Sequence, residues 1–492
     1  MNKFASKFAK LVGYDSSKGT TVRTELVAGV VTFLAMAYIL TVNPNQIFGA
    51  GSPYWASAFI ATALGAIVGT LLMAFVAKMP LAQASGMGLN SMLGGIIGGW
   101  GGYGAAFTPG QGFMLVLISG LLFLLMSAVR IKGLTFRELV FDGMPVAVRS
   151  AISVGIGLFI AFIGFQNAKI IGDDPYVLLS LVNFSSFDAN VASAVVCFFG
   201  LALIAILDKL NVKGSVIIGV AGAAVVGIPL GVTDLSILAG SGDISWKFWE
   251  NFANFFAGEN SVFFSFTDVF SEGLIPAGVS VFTIIMIIIT MCMIDMFDTM
   301  GTIVGCCGGN RILSDENNKP HNYGKIMLSD AIATCSGAML GTSTVTTFVE
   351  SGAGVSAGGR TGLTAFSTAC MFFLSLFALP LFATIPSAAA ASALIYVGVL
   401  MMKNNIKSVD FDGSINATSA FLTIATMVLS YSITKGIGVG MIAYTGMTAF
   451  SYLISLVKYA ITKKDKPEWT LSPVAIVVSV LFCVYFFVPA TL

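Results

Sequence analysis

Long apolar runs without a charged residue recur along this chain from end to end; one of them is Gly273 to Ile294. About 20 such residues suffice for a helix to cross a bilayer, and a soluble core has no use for so many segments of that length. Composition agrees. Only 10% of the residues are charged and mean hydropathy is +0.91, where a soluble domain carries about 25% charged residues. The chain reads as an all-α polytopic membrane protein. Its 54 glycines suit helices that pack closely or break inside a membrane. A net charge of +1 gives no footing for a nucleic-acid partner.

The apolar spans run over 24–42, 55–77, 81–98, 111–129, 150–168, 190–207, 214–232, 273–297, 326–341, 343–357, 361–383, 387–402, 415–433 and 437–457. A further apolar segment, 473–489, follows a polar break and is long enough to cross. With the N-terminus in the cytoplasm and fourteen crossings, all but Lys169, Lys247 and Lys435 of the 25 Lys and Arg fall inside. The positive-inside bias predicts that orientation. The basic segment 1–23 lacks a short apolar core and cleavage site, so it reads as a cytoplasmic segment rather than a signal peptide. The seven cysteines form neither a disulfide framework nor a metal pattern. Cys306 and Cys307 are adjacent but have no nearby histidine, and no metal site is expected.

Seven spans fill 24–232 and seven fill 273–457, with 233–272 as an external linker and 458–492 as a C-terminal segment. Seven is odd, so the second half starts from the opposite face and the halves are inverted. The third span of each half is interrupted. "KMPLAQASGMGLNSMLGGIIGG" (78–99) has Pro80, an extended piece, then Gly86 and Gly88 before a short helix. "GTSTVTTFVESGAGVSAGG" (341–359) has a β-favouring piece, Thr342 to Phe348, then Glu350 and more glycine. Interrupted segments at matching positions of two halves point to a transporter site. Non-helical backbone at membrane depth is tolerated only against protein or a wet cavity. Short strands in spans 3 and 10 are therefore expected, each followed by a half-helix with its positive end toward the cavity.

Asp295 and Asp298 sit three residues apart and share a helix face. Either the span ends there and both are solvated, or both are intramembrane carboxylates, which mark function by default. The uncharged stretch that follows, up to Arg311, favours the second. Glu350 stands alone between Asp330 and Arg360 at the break of span 10. Asn90 lies in the first turn of the matching half-helix, where it could equally be a plain cap. Glu25 and Asp330 read as interfacial. The turn "GGRTG" (358–362) reads as a tight cytoplasmic loop with one orienting arginine, since no strand precedes it to make a phosphate cradle. The only histidine, His321, lies in a basic loop, so a proton crossing the membrane would need a carboxylate.

Four motifs now combine: "RTELVAGVVTFLAMAYILTVNP" (23–44), "GMGLN" (86–90), "DMFDTMGT" (295–302) and "ESGAGVSAGGRTGLTA" (350–365). In that order the chain resembles the AzgA-like branch of the nucleobase–cation symporter-2 family, the hypoxanthine–guanine–adenine permeases. The resemblance implies fourteen spans as a seven-plus-seven inverted repeat with core and gate domains. The core would comprise 24–129 and 273–383, and the gate 150–232 and 387–457. It implies a purine nucleobase bonded by Asp295 and Glu350, with Asn90 completing the site and Phe348 against the ring. Asp298 would support proton coupling or local structure, and Glu350 would share in the coupling. No cofactor is implied beyond H+ as coupling ion. The implied setting is the lipid bilayer of a bacterial inner (plasma) membrane, and a homodimer is an expectation carried by the fold alone. Family members often read Ala-Pro-Gly where this chain has Ala84-Ser85-Gly86, which is expected to soften the break in span 3.

The chemistry is coherent. Carboxylates accept purine N–H groups, and backbone N–H groups of half-helices meet ring acceptors. Burial makes a carboxylate's charged form costly, so proton and substrate binding can be linked at one site. A uracil or xanthine carrier of the same fold would differ only in side-chain detail, while three acids argue against an anion transporter. An intramembrane aspartyl protease would draw its two carboxylates from different helices and would need no inverted repeat.

Overall fold

The computed structural model describes residues 3–99, 105–131, 134–135, 143–174, 178–239, 244–307, 312–314, 320–463 and 468–487. Asp243, Arg311 and the last residues of segment 473–489 lie outside them. The described chain is mostly helical. Among the described residues, eight helices are long and apolar enough to cross a membrane, including Val22–Phe48, Val146–Asn167 and Gly362–Ala383. Met87–Gly98, Ser215–Gly227, Ser387–Lys403, Ser414–Leu429 and Pro473–Phe487 are apolar but shorter. The last of these is the extra C-terminal segment. It packs on the Ile433–Thr462 helix, where Ser479 bonds Thr445 at 2.7 Å.

Local chemistry sets the helix ends. Thr21 accepts a bond from the Thr24 amide and opens the Val22–Met36 helix, satisfying one of its orphan donors. The chain then tightens through two i,i+3 bonds, Leu40 N to Ala37 O and Thr41 N to Tyr38 O. It continues as the Ile39–Phe48 helix. Thr108 and Gln111 form a capping box ahead of Pro109–Ala128. Val146–Asn167 lies against Ser387–Asn405 through small residues. A Cβ on Gly157 would fall 3.0 Å from the Gly398 carbonyl, the kind of close approach that holds helices together without a hydrophobic drive.

Among the described residues, two of the three small sheets pair near neighbours in the chain, Arg130–Ile131 with Leu134–Thr135 and Ile171–Asp174 with Leu178–Leu181. The third joins distant parts. Gln83–Ser85 pairs antiparallel with Val345–Thr347, in the register Gln83 to Thr347 and Ser85 to Val345. Both strands are fully buried. Backbone groups outside the ladder must then find other partners. Thr70 serves Gln83 twice, accepting from its amide at 3.0 Å and donating to its carbonyl at 3.1 Å. Thr334 donates to the Val345 carbonyl, and Ser351 accepts from the Ala82 amide. Phe348 N donates to Ala82 O, and Gly86 N to Thr344 O.

Gly86 ends the first strand in extended backbone and begins the Met87–Gly98 helix. A Cβ there would meet Thr346 Cγ2 at 2.7 Å, so the residue is required by close approach. At Ser85, the hydroxyl bonds Thr342 at 2.7 Å, and Thr342 in turn receives Asn43 at 2.8 Å. These two bonds tether the break sideways.

Gly86→Ala is expected to cost about 1–3 kcal/mol through overpacking and to lower the melting temperature of the detergent-solubilised protein. Gly446, in a helix with nothing within 4 Å of a built Cβ, is the control. Gly446→Ala should leave that temperature unchanged or raise it.

Candidate functional site

A cavity of about 710 Å³ opens beside the strand pair, within the size range of small-molecule sites. One wall is polar, with Asp298, Thr302, Glu350 and Arg360. Met87, Gly88 and Phe348 adjoin it. The facing wall is mainly apolar, with Ile156 and Ile160 from one helix and Val397 and Met401 from another.

Glu350 stands just before the six-residue helix Ser351–Ser356. Its Oε1 accepts a hydrogen bond from the Tyr38 hydroxyl at 2.6 Å. Its Oε2 is buried and has no hydrogen-bond partner among the described residues. Asp298 lies on the Val281–Cys307 helix, which runs on for more than two turns past it, so neither aspartate marks an exit into water. Asp298 is half-buried. Asp295 is fully buried, accepts from Thr334 at 2.9 Å, and does not line the cavity.

The structure thus brings Asp298, Glu350, Phe348 and Gly88 to one cavity and sets Asp295 and Asn90 behind it. Asn90 accepts from the Ser343 hydroxyl and donates to the Ser85 carbonyl, bracing the first strand to its half-helix. Gly86 makes the break itself. Gly88 is already inside the helix, where a Cβ would crowd Ile156 and Ile433 at 3.3 and 3.4 Å.

Two acids read as interfacial are fully buried instead. Asp330 accepts from Gln83 at 2.9 Å and Thr299 at 2.7 Å. Thr299 also bonds Thr346 at 2.6 Å, which ties the acidic helix to the second strand. Glu25 accepts from the amides of Arg360 and Thr361 and from the Thr364 hydroxyl. It therefore holds the GGRTG turn, in which Gly358 takes φ +104°. Their partners lie more than 240 residues away or in a different span, which local charge patterning cannot see. Arg360 itself donates to the Val355 and Gly359 carbonyls at 2.6 and 2.7 Å and lines the cavity. Tyr38 was not singled out from sequence, yet a signal existed: a tyrosine hydroxyl inside an apolar run must find a partner.

A family model described as Permease family (Xan_ur_permease) matches residues 23–439. The chain belongs to this family, the nucleobase–cation symporter-2 permeases. It is 34% identical to the guanine/hypoxanthine permease PbuO of Bacillus subtilis (strain 168), covering 95% of this chain and 98% of that one. It is 32% identical to the adenine permease AdeP of Escherichia coli (strain K12), covering 87% and 88%. The transmembrane domain of a cyanobacterium bicarbonate transporter, BicA, superposes with a TM-score of 0.57 at 16% identity, covering 85% of this chain and 96% of that one. The protein therefore has the fold of that transporter, and as a permease it is a multi-pass membrane protein and not an enzyme.

The two kinds of carboxylate should separate experimentally. Asp330→Ala strands several buried donors and is expected to cost about 3 kcal/mol or more. It should abolish a monodisperse gel-filtration peak. Asp298→Ala, facing open space, should leave the peak intact.

Proposed function

We propose that this protein is a secondary active transporter that imports purine nucleobases (hypoxanthine, guanine or adenine) across the bacterial plasma membrane by proton symport. The observation that carries this reading is Glu350, whose buried Oε2 has no hydrogen-bond partner among the described residues in a cavity it shares with Asp298. Acceptor oxygens in the polar wall match the ring N–H donors of a neutral purine. Phe348 adjoins them and is suited to lie against the ring, and the apolar facing wall would cover the rest. Relatives named guanine/hypoxanthine permease and adenine permease support the substrate class.

Asp298 and Glu350 contact the substrate in this reading, while Asp295 and Asn90 hold the acidic helix and the first half-helix against the strands. The spans form fourteen crossings as a seven-plus-seven inverted repeat, with the N-terminus in the cytoplasm. Core segments 24–129 and 273–383 move against gate segments 150–232 and 387–457. The lining of the cavity supports that division: its acids belong to the core, whereas Ile156, Ile160, Val397 and Met401 belong to the gate. A shift of one against the other would remake the cavity on the opposite side. A carboxylate carries the proton, because His321 is exposed in a loop.

The fold shared with a bicarbonate transporter raises an anion as the second reading. Arg360 does line the cavity, but two carbonyls engage its guanidinium and two carboxylates oppose it.

Uptake of labelled hypoxanthine, guanine, adenine and uracil into a bacterial strain lacking its own purine carriers tests the proposal. Purine uptake should collapse with a protonophore. It should fall at least tenfold in Asp298→Asn and in Glu350→Gln at matched membrane abundance, as the loss of a charged hydrogen bond of about 1.5 kcal/mol or more requires. Uracil uptake alone, or purine uptake indifferent to both substitutions, would overturn it.

A further inference from the structure

The cavity reading leaves one contact without a role. Tyr38 is 1% exposed and sits where the first span tightens between the Val22–Met36 and Ile39–Phe48 helices. Tight i,i+3 turns inside a long helix often mark functional positions. Here the turn places the phenol between two elements of the site. Its oxygen lies 2.6 Å from Glu350 Oε1 and 3.7 Å from the Met87 sulfur. Span 1 thus reaches across to the acid of span 10 and to the first residue of the half-helix of span 3. No other side-chain hydrogen bond to Glu350 is present among the described residues, and Oε2 is left over.

We infer that Tyr38 is a positioning residue for the substrate: it pins Glu350 through Oε1 and so makes Oε2 the one oxygen of Glu350 that meets the ligand. The inference rests on the purine-transport reading above.

A free glutamate has rotatable bonds and two equivalent oxygens, and ordering such a side chain on binding costs affinity. A carboxylate already held by one oxygen pays less of that cost and offers its acceptor in a fixed direction. The hydroxyl suits the task because it donates without bringing charge. A lysine or arginine in its place would neutralise Glu350 and weaken the acceptor. Other groups also face the carboxylate. Asp298, Cys306 and Arg360 line the same cavity. The Cys306 thiol donates to the Val349 carbonyl at 3.4 Å and the Arg360 guanidinium to its own turn, so neither substitutes for Tyr38 in holding Oε1.

Such a residue acts on binding through another side chain, which has a kinetic signature. An interaction made equally with bound substrate and transition state changes KM and leaves the maximal rate. Two residues that act through one contact show non-additive effects.

The experiment measures initial rates of hypoxanthine, guanine and adenine uptake against concentration for wild type, Tyr38→Phe, Glu350→Gln and the double variant. Phe33→Leu serves as a packing control on the same span, since Phe33 pairs edge-on with Phe372 and does not line the cavity. Membrane abundance is matched. Tyr38→Phe is expected to raise KM about five- to twentyfold with Vmax within twofold. Adding it to Glu350→Gln should change KM less than twofold. Phe33→Leu should leave KM where it is. An unchanged KM in Tyr38→Phe, an equal rise in Phe33→Leu, or effects that multiply in the double variant would overturn the role of Tyr38 while purine uptake by wild type left the transport reading standing. Wild type that takes up none of the three purines would overturn both.

Discussion

The structure depends on a debt of backbone hydrogen bonds. Two strands of three residues each are buried in the middle of a protein whose other spans are helices. A helix satisfies its own N–H and C=O groups, whereas a strand cannot. Pairing Gln83–Ser85 with Val345–Thr347 settles the inner edges, and the threonines and serines of surrounding helices settle the outer ones. Thr70, Thr334 and Ser351 each meet a strand or strand-flanking backbone group directly. Because those residues come from several spans, the strands can form only once the spans have assembled. The polar interior is therefore a consequence of the break, and the break is what opens room for a cavity.

The same requirement separates the acids. Asp295 and Asp330 are bound to hydroxyl and amide donors that also touch the strands. They brace the crossing and do not line the cavity. Glu25 performs a comparable task at the GGRTG turn. Asp298 and Glu350 face the cavity instead, and Glu350 keeps an oxygen without a hydrogen-bond partner among the described residues. A transporter needs both kinds. Groups bonded between spans give a rigid crossing point, and acceptors turned toward the cavity give a small polar ligand a reason to bind there.

Much of this was legible in the chain. Unbroken apolar runs predicted the membrane, and the Gly-rich and Thr-rich interruptions at 78–99 and 341–359 predicted where helices fail. Glu350 stood out because it is the only charge between Asp330 and Arg360. The two aspartates of the acidic helix show where such reading stops. Residues three apart differ by about 60° around a helix axis, too little for periodicity to say which one faces a neighbour. The Tyr323–Leu340 helix decides it, since its Thr334 bonds Asp295 whereas Asp298 lines the cavity. Asp330 and Glu25 were misjudged for a related reason: near the ends of apolar runs they look accessible, and only partners from remote spans take them out of water.

By itself, then, the sequence determined the class of protein, its family, the positions of the breaks and the identity of the acids able to serve a site. These follow from free energies that act along the chain: transfer of apolar side chains, the conformational preferences of glycine and β-branched residues, and the cost of an unpaired charge. Which acid faces the cavity, which is buried as a brace, and which phenol holds Glu350 were decided by tertiary structure alone. Tyr38 and Glu350 are 312 residues apart, and a hydrogen bond requires its two atoms to meet within about 3 Å. Only the packing of whole spans brings them that close.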